Sequence, residues 1–135
     1  MNGNRYTLIF SLVVVTALMS ALGNYAKGNP PPKTRLEQPR INLLIQIIQS
    51  DPDENKREAA VAELSKADPR TSTGVIQIVT EALLKDTSAK VRLAAVSVIT
   101  KYNTVYSFTG HALETAKDSD ASPEVRKAAT DGLTG

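Results

Sequence analysis

The chain has 135 residues, with 16 Lys and Arg against 14 Asp and Glu, one His, and neither Cys nor Trp. That length suits a single domain, and the missing cysteine excludes disulfides, thiol catalysis, a zinc–thiolate centre and a lipidated N-terminal cysteine. The near balance of charge gives no strongly basic face, so nucleic acid is not an expected partner.

Residues 1–23 read as a leader. Arg5 is the only charge before Lys27, and between them runs an apolar stretch from Thr7 to Leu22 that ends in the small residues Ser20, Ala21 and Gly23. A basic start, an apolar run and a small-residue end describe a secretory signal peptide, with cleavage expected after Gly23. The run is shorter than the roughly 20 residues that span a bilayer; retained, it is a membrane anchor instead. Export to a cell envelope or the medium follows. A membrane association is expected only for the uncleaved form. Without Arg5 the remaining chain balances 15 basic against 14 acidic side chains.

Residues 24–39 contain Pro30-Pro31-Pro32 and Pro39. Proline fixes φ and lacks the backbone donor, so this segment is expected to be an extended linker. The repeat-bearing region is taken as 40–135. Aromatic residues after the leader are only Tyr25, Tyr102, Tyr106 and Phe108, so Ala, Val, Leu and Ile must fill the core, a composition that suits closely packed helices.

The first helix is expected near Ile41–Gln49. Asn42, Gln46 and Gln49 form a narrow polar stripe, and Leu43, Leu44, Ile45, Ile47 and Ile48 cover the rest, so burial on most sides is expected. Asp51-Pro52-Asp53-Glu54 reads as a helix start, with Asp51 as cap, Pro52 in the first turn and Glu54 closing a capping box. That helix is expected to reach Ala67 and to bury Ala60, Leu64 and Ala67. The third runs about Gly74–Lys85, with Val75, Ile78, Val79, Ala82 and Leu83 inward. The fourth covers about Ser88–Lys101; Val91, Ala94, Ala95, Val98, Ile99 and Tyr102 recur at helical steps, and Leu93 with Val96 suggests a second neighbour. The fifth, about Val105–Lys117, turns Val105, Phe108, Ala112, Leu113 and Ala116 inward. Ser122-Pro123-Glu124 starts the sixth, with Val125, Ala128, Ala129 and Leu133 inward. No segment outside the leader alternates with period two long enough for a strand.

One phrase occurs three times: DPDENKREAAVAEL at 51–64, DTSAKVRLAAVSVI at 86–99 and DASPEVRKAATDGL at 120–133. Each has Asp, then Arg six residues on, then an Ala pair. The starts lie 35 and 34 residues apart, a period typical of stacked repeats that offer elongated binding surfaces. The fold class is therefore all-α: a short α-α superhelix of about three helical hairpins, at about 41–67, 74–102 and 105–133. Asp before each helix caps its amides. The Ala pairs allow close approach of helices. Arg57, Arg92 and Arg126 are placed to reach an Asp or turn carbonyls of a neighbouring unit, so that Asp51, Asp86 and Asp120 line up with them in a ladder. Each such pair is expected to be partly exposed and to contribute no more than ~1 kcal/mol. Ends of a stack need covering, which makes a homo-oligomer through the ends one possible arrangement.

The phrase resembles HEAT-type repeats of the short variety found in bacteria. The resemblance rests on Asp51/Arg57, Asp86/Arg92, Asp120/Arg126 and the pairs Ala59-Ala60, Ala94-Ala95 and Ala128-Ala129, and covers about residues 41–133. V-R-x-A-A is complete at 91–95 and 125–129; Lys56 replaces the valine in the first unit. The resemblance implies an α-solenoid that mediates protein–protein interaction. Behind a leader, it resembles small bacterial envelope proteins.

Chemistry-bearing residues are sparse. His111 is alone and has no nucleophile pattern around it. Asp118, Asp120 and Glu124 lie close in sequence but lack the spacing of a calcium loop, and helix capping explains them. No catalytic residue, metal ligand or cofactor site is assigned. Tyr106 falls off the inward stripe of its helix and is the candidate partner contact, since an exposed tyrosine supplies contact area at low entropic cost. The function expected is an exported, non-catalytic scaffold or adaptor for an unidentified protein partner. The alternatives are a membrane-tethered envelope protein and a factor resembling the HEAT-type lyases that attach pigments to proteins.

Overall fold

In a computed structural model of the chain, residues 36–68, 73–102 and 107–135 are described. They form six helices: α1 Gln38–Ser50, α2 Glu54–Leu64, α3 Thr73–Lys85, α4 Ala89–Tyr102, α5 Ser107–Ser119 and α6 Pro123–Thr134. Among the described residues there is no strand. The leader, most of the proline segment, residues 69–72, and Val105 with Tyr106 lie outside the described residues.

Three hairpins, α1–α2, α3–α4 and α5–α6, stack in order. The even helices pack on their successors more closely than the odd ones do, because small residues line that side. Ala60, Ala95 and Ala129 are 3%, 0% and 0% exposed. Only the second alanine of each pair makes the close contact; Ala59 is exposed, and Ala94 and Ala128 are half-buried. Gly132 extends the same economy of size: a Cβ there would collide with Oγ1 of Thr100.

Several local expectations shift. Helix α1 begins at Gln38, earlier than Ile41 and inside the stretch assigned to the linker. Pro39 does not prevent this, because the first helical turn has amides without intrahelical partners. Asp53, not Asp51, caps α2: its carboxylate accepts from the Asn55 amide at 2.9 Å, while Asp51 accepts from the Asp53 amide at 2.9 Å. Helix α2 ends at Leu64, and Ser65–Ala67 continue as a turn that still buries Ala67.

Helix α1 is not covered on most sides. Ile41, Leu44 and Ile48 are buried, but Leu43 is 46% exposed. One repeat later the same register holds half-buried Ile78, and then buried Ala112. That position gains cover only where a preceding hairpin stands beside it. In α5 the inward place belongs to Thr109, fully buried, while Phe108 stays 44% exposed; the register is fixed by Ala112, Leu113 and Ala116. Val96 is buried as expected of a second contact row, whereas Leu93 is exposed.

The three repeats are not equal in chemistry at equivalent positions. Val61 and Val96, both buried, correspond to exposed Thr130 in α6. Buried Val75 and Val98 in the middle repeat correspond to Arg40 and Glu63 in the first. Those two side chains pair across α1 and α2 through Nε–Oε1 at 2.9 Å and Nη2–Oε2 at 2.7 Å. Each end of the stack thus carries polar groups where the middle carries valine, as solenoid termini require.

Candidate functional site

The repeated phrase builds a ladder at the turns that lead into the even helices. Arg57 on α2 grips Asp86 of the next turn with both edges of its fork, Nε–Oδ2 and Nη2–Oδ1, each at 2.9 Å. Arg92 on α4 repeats this on Asp120 at 2.8 and 2.9 Å. The remaining nitrogen, Nη1, donates to carbonyls of the arginine's own turn: Asp51 and Pro52 for Arg57, Asp86 and Thr87 for Arg92. Each arginine therefore fastens its own hairpin turn to the next one. The planar fork of arginine matches a carboxylate bidentately, which lysine does not.

Both aspartates are held from a second side. Asp86 Oδ1 accepts from the Ser88 amide and Asp120 Oδ1 from the Ser122 amide, each at 2.8 Å. Burial alone would raise their pKa values. The arginine hydrogen bond, the amide and the arginine charges outweigh it, and both carboxyls sit below the ordinary aspartate value. The pairs are more enclosed than the sequence suggests: side-chain exposures are 12% and 8% for Arg57–Asp86, and 13% and 6% for Arg92–Asp120. Stacked neighbours supply that cover. A pair this enclosed costs more to break than an exposed one, because the surviving charge stays behind unsolvated.

Arg126 stands in the same place on α6 and makes the same carbonyl contacts, to Asp120 at 2.7 Å and Ala121 at 3.3 Å. Among the described residues no carboxylate meets its Nε/Nη2 edge. Asp51 is the reverse case. It adopts the posture of Asp86 and Asp120, but among the described residues the ion pair of its carboxylate is a loose one, to Lys56 at 3.7 Å.

A second clamp was not legible in the sequence. Tyr102 is buried, and its hydroxyl donates to the carbonyls of Ser65 at 3.0 Å and Ala67 at 2.8 Å. Lys101 Nζ also donates to the Ser65 carbonyl, at 2.9 Å. These carbonyls belong to the frayed end of α2, where intrahelical donors run out. Burial, with the charge of Asp68 second, raises the Tyr102 pKa above the usual tyrosine value. The helical stripe pointed to Tyr102 as core, but its hydroxyl contact spans some 35 residues and has no local signal.

Two clefts open beside the ladder, one repeat apart. The first, about 440 Å³, lies between the ends of α1 and α3, with Ile48, Gln49, Ile78, Glu81 and Lys85 around the Arg57–Asp86 pair. The second, about 230 Å³, lies between α3 and α5, with Leu83, Leu84, Thr115 and Ser119 around Arg92–Asp120. Glu81 and Lys85 of the first correspond in register to Thr115 and Ser119 of the second. The clefts offer shallow apolar floors with hydrogen-bonding rims, suited to surface recognition.

The remaining candidates separate. His111 is exposed on α5, 3.7 Å from Glu114. Asp120 belongs to the ladder, Glu124 accepts from the Ser122 hydroxyl at 2.6 Å, and Asp118 lies 3.4 Å from Lys117. Among the described residues no three such side chains gather as they would around a cation, and no helix is long and apolar enough to cross a membrane. Tyr106 lies outside the described residues.

Comparison with curated proteins and with solved structures returns no match. The family model for HEAT repeats matches residues 41–134, which takes in every repeated phrase and all but the first three residues of the helical stack. With three stacked hairpins tied by the Asp–Arg ladder, the chain belongs to the HEAT-repeat family.

Proposed function

We propose that this chain is an exported, non-catalytic scaffold that binds another protein on the surface of its helical stack. The observation that carries this reading is the pair of clefts at equivalent positions of successive repeats. A binding surface that recurs at the repeat spacing suits an elongated protein segment. The ladder's charged residues already serve the fold, which leaves the cleft rims free for recognition. HEAT repeats commonly mediate protein interactions, and that family tendency supports the same reading by association.

Export rests on the leader-like sequence of residues 1–23. The mass of the native chain tests it: a start near Asn24 supports a cleaved leader, and a start at Met1 replaces export by anchoring. Binding is tested by affinity isolation from the native cell envelope after mild cross-linking, with the wild type and a cleft variant, Glu81→Lys/Lys85→Glu, in parallel. The expected result is one protein in near-equal amount with the wild type and its loss with the variant, at an unchanged melting temperature. Equal recovery with both would move the binding surface away from the first cleft. Recovery of nothing but the chain itself would overturn the adaptor reading.

A further inference from the structure

The ladder is incomplete at both ends, and the two missing halves match. Arg126 fixes its Nη1 on the carbonyls of Asp120 and Ala121, as Arg57 and Arg92 fix theirs on their own turns. Among the described residues, its Nε/Nη2 edge meets no acceptor where Arg57 and Arg92 each hold an aspartate. At the other end, Asp51 accepts the Asp53 amide at 2.9 Å, just as Asp86 and Asp120 accept the Ser88 and Ser122 amides at 2.8 Å. Its carboxylate is thus turned into the posture that receives an arginine fork, and it keeps 20% side-chain exposure. We propose that Arg126 of one copy takes Asp51 of a second copy, so that chains associate head to tail and the ladder runs on across the junction.

The surrounding faces determine what kind of contact this is. Thr130 stands in the register of Val61 and Val96 at one end, and the Arg40–Glu63 pair stands in the register of Val75 and Val98 at the other. A junction built from such faces buries less apolar area than the contacts inside the stack, with Leu43 as its exposed apolar side chain. It rests on charge-assisted hydrogen bonds, so it is weak, concentration-dependent and weakened by salt. Because the two surfaces differ, the contact is heterologous. Each added copy leaves a free half-rung at either end, so repeated addition gives chains longer than a dimer.

Sedimentation velocity on the whole chain at rising concentration and low salt tests this, with Asp51→Asn and Arg126→Gln as separate variants. Wild type is expected to form a series of species beyond the dimer that recedes at high salt. Each variant alone keeps only one competent end and is expected to sediment as a monomer. Their equimolar mixture joins the intact Arg126 end of Asp51→Asn to the intact Asp51 end of Arg126→Gln, and should stop at a dimer. A misfolded variant would not complement in this way. A wild type that stays monomeric throughout, a closed dimer, or association that ignores both substitutions would each overturn the proposal. None of these results depends on whether another protein binds the clefts.

Discussion

Arg92 and Arg126 come from the same short phrase, yet the molecule treats them differently. Arg92 lies between two hairpins, bonded on one side to its own turn and on the other to Asp120, with 13% of its side chain exposed. Arg126 keeps the first attachment, and among the described residues no carboxylate meets its other edge. The contrast extends to the apolar positions, where Val61 and Val96 give way to Thr130, and Val75 and Val98 are preceded by Arg40 and Glu63. A repeat phrase specifies a hairpin; place in the stack specifies how much of that hairpin is covered.

Acid should act most strongly on the interior rungs. Asp86 and Asp120 have folded pKa values below the ordinary 3.8, so between the folded and unfolded values the unfolded chain binds more protons. Their contribution is therefore complete above about pH 4 and is lost as pH falls through the lowered folded values. Denaturant midpoints measured from neutral pH downward should drop steeply below about pH 4. Arg126→Gln should flatten that slope only slightly, because its charge is the smallest influence on Asp120, while Asp120→Asn should flatten it far more. Parallel slopes for all three chains would break the distinction between interior and end.

Direct removal of one rung comes next. Arg92→Ala leaves Asp120 enclosed without its counter-charge and should cost about 3 kcal/mol in urea unfolding. Arg126→Ala removes only two carbonyl contacts, and about 1 kcal/mol is expected. Equal losses would mean that enclosure by the following hairpin adds nothing.

The alanine pairs sharpen the same comparison inside one helix. Ala95→Leu places three extra carbons at a fully buried contact and should cost roughly 1–3 kcal/mol. At half-buried Ala94 the same change is expected to cost less than about 0.5 kcal/mol, the range of surface substitutions. A thermal melt of each variant decides, and an unaffected Ala95→Leu would show that α4 has room there.

Tyr102→Phe should cost about 1 kcal/mol, since it removes one hydroxyl and leaves the ring in place. The readout is local: amide exchange should quicken around Ser65–Ala67, where the two carbonyls lose their donor, while α6 is unaffected. Uniform acceleration would indicate that the hydroxyl supports the whole stack.

Much of this was readable from the chain. The period of 35 and 34 residues gave three hairpins, and helical spacing located all six helices to within a few residues. The ladder partners were anticipated as residue types, because Arg and Asp are the only charged residues at fixed places in every copy. Where the reading departed from the structure, the cause was usually a neighbour from outside the local segment. Leu43 and Phe108 looked like core because they sit on apolar stripes, and both keep nearly half of their surface exposed. Thr109 was not among the residues expected inward, and it is fully buried because the stripe through Leu113 turns it inward. The ion pairs looked half-solvated, and stacking enclosed them.

The sequence by itself determined the repeat unit: where each helix starts to within a few residues, the small residue at each close contact, and the arginine six residues after each aspartate, although the aspartates expected as caps hold the amide two residues on, ahead of the helix. Those are local facts, set by backbone sterics, helical periodicity and spacing along one segment. Tertiary structure alone decided which arginine finds a carboxylate, which alanine of each pair is buried, that Tyr102 holds the end of α2, and where the clefts open. Each of these depends on which hairpin lies alongside, over separations of about 28–37 residues. A segment read alone carries its own pattern but not the shape of the surface that comes to rest against it.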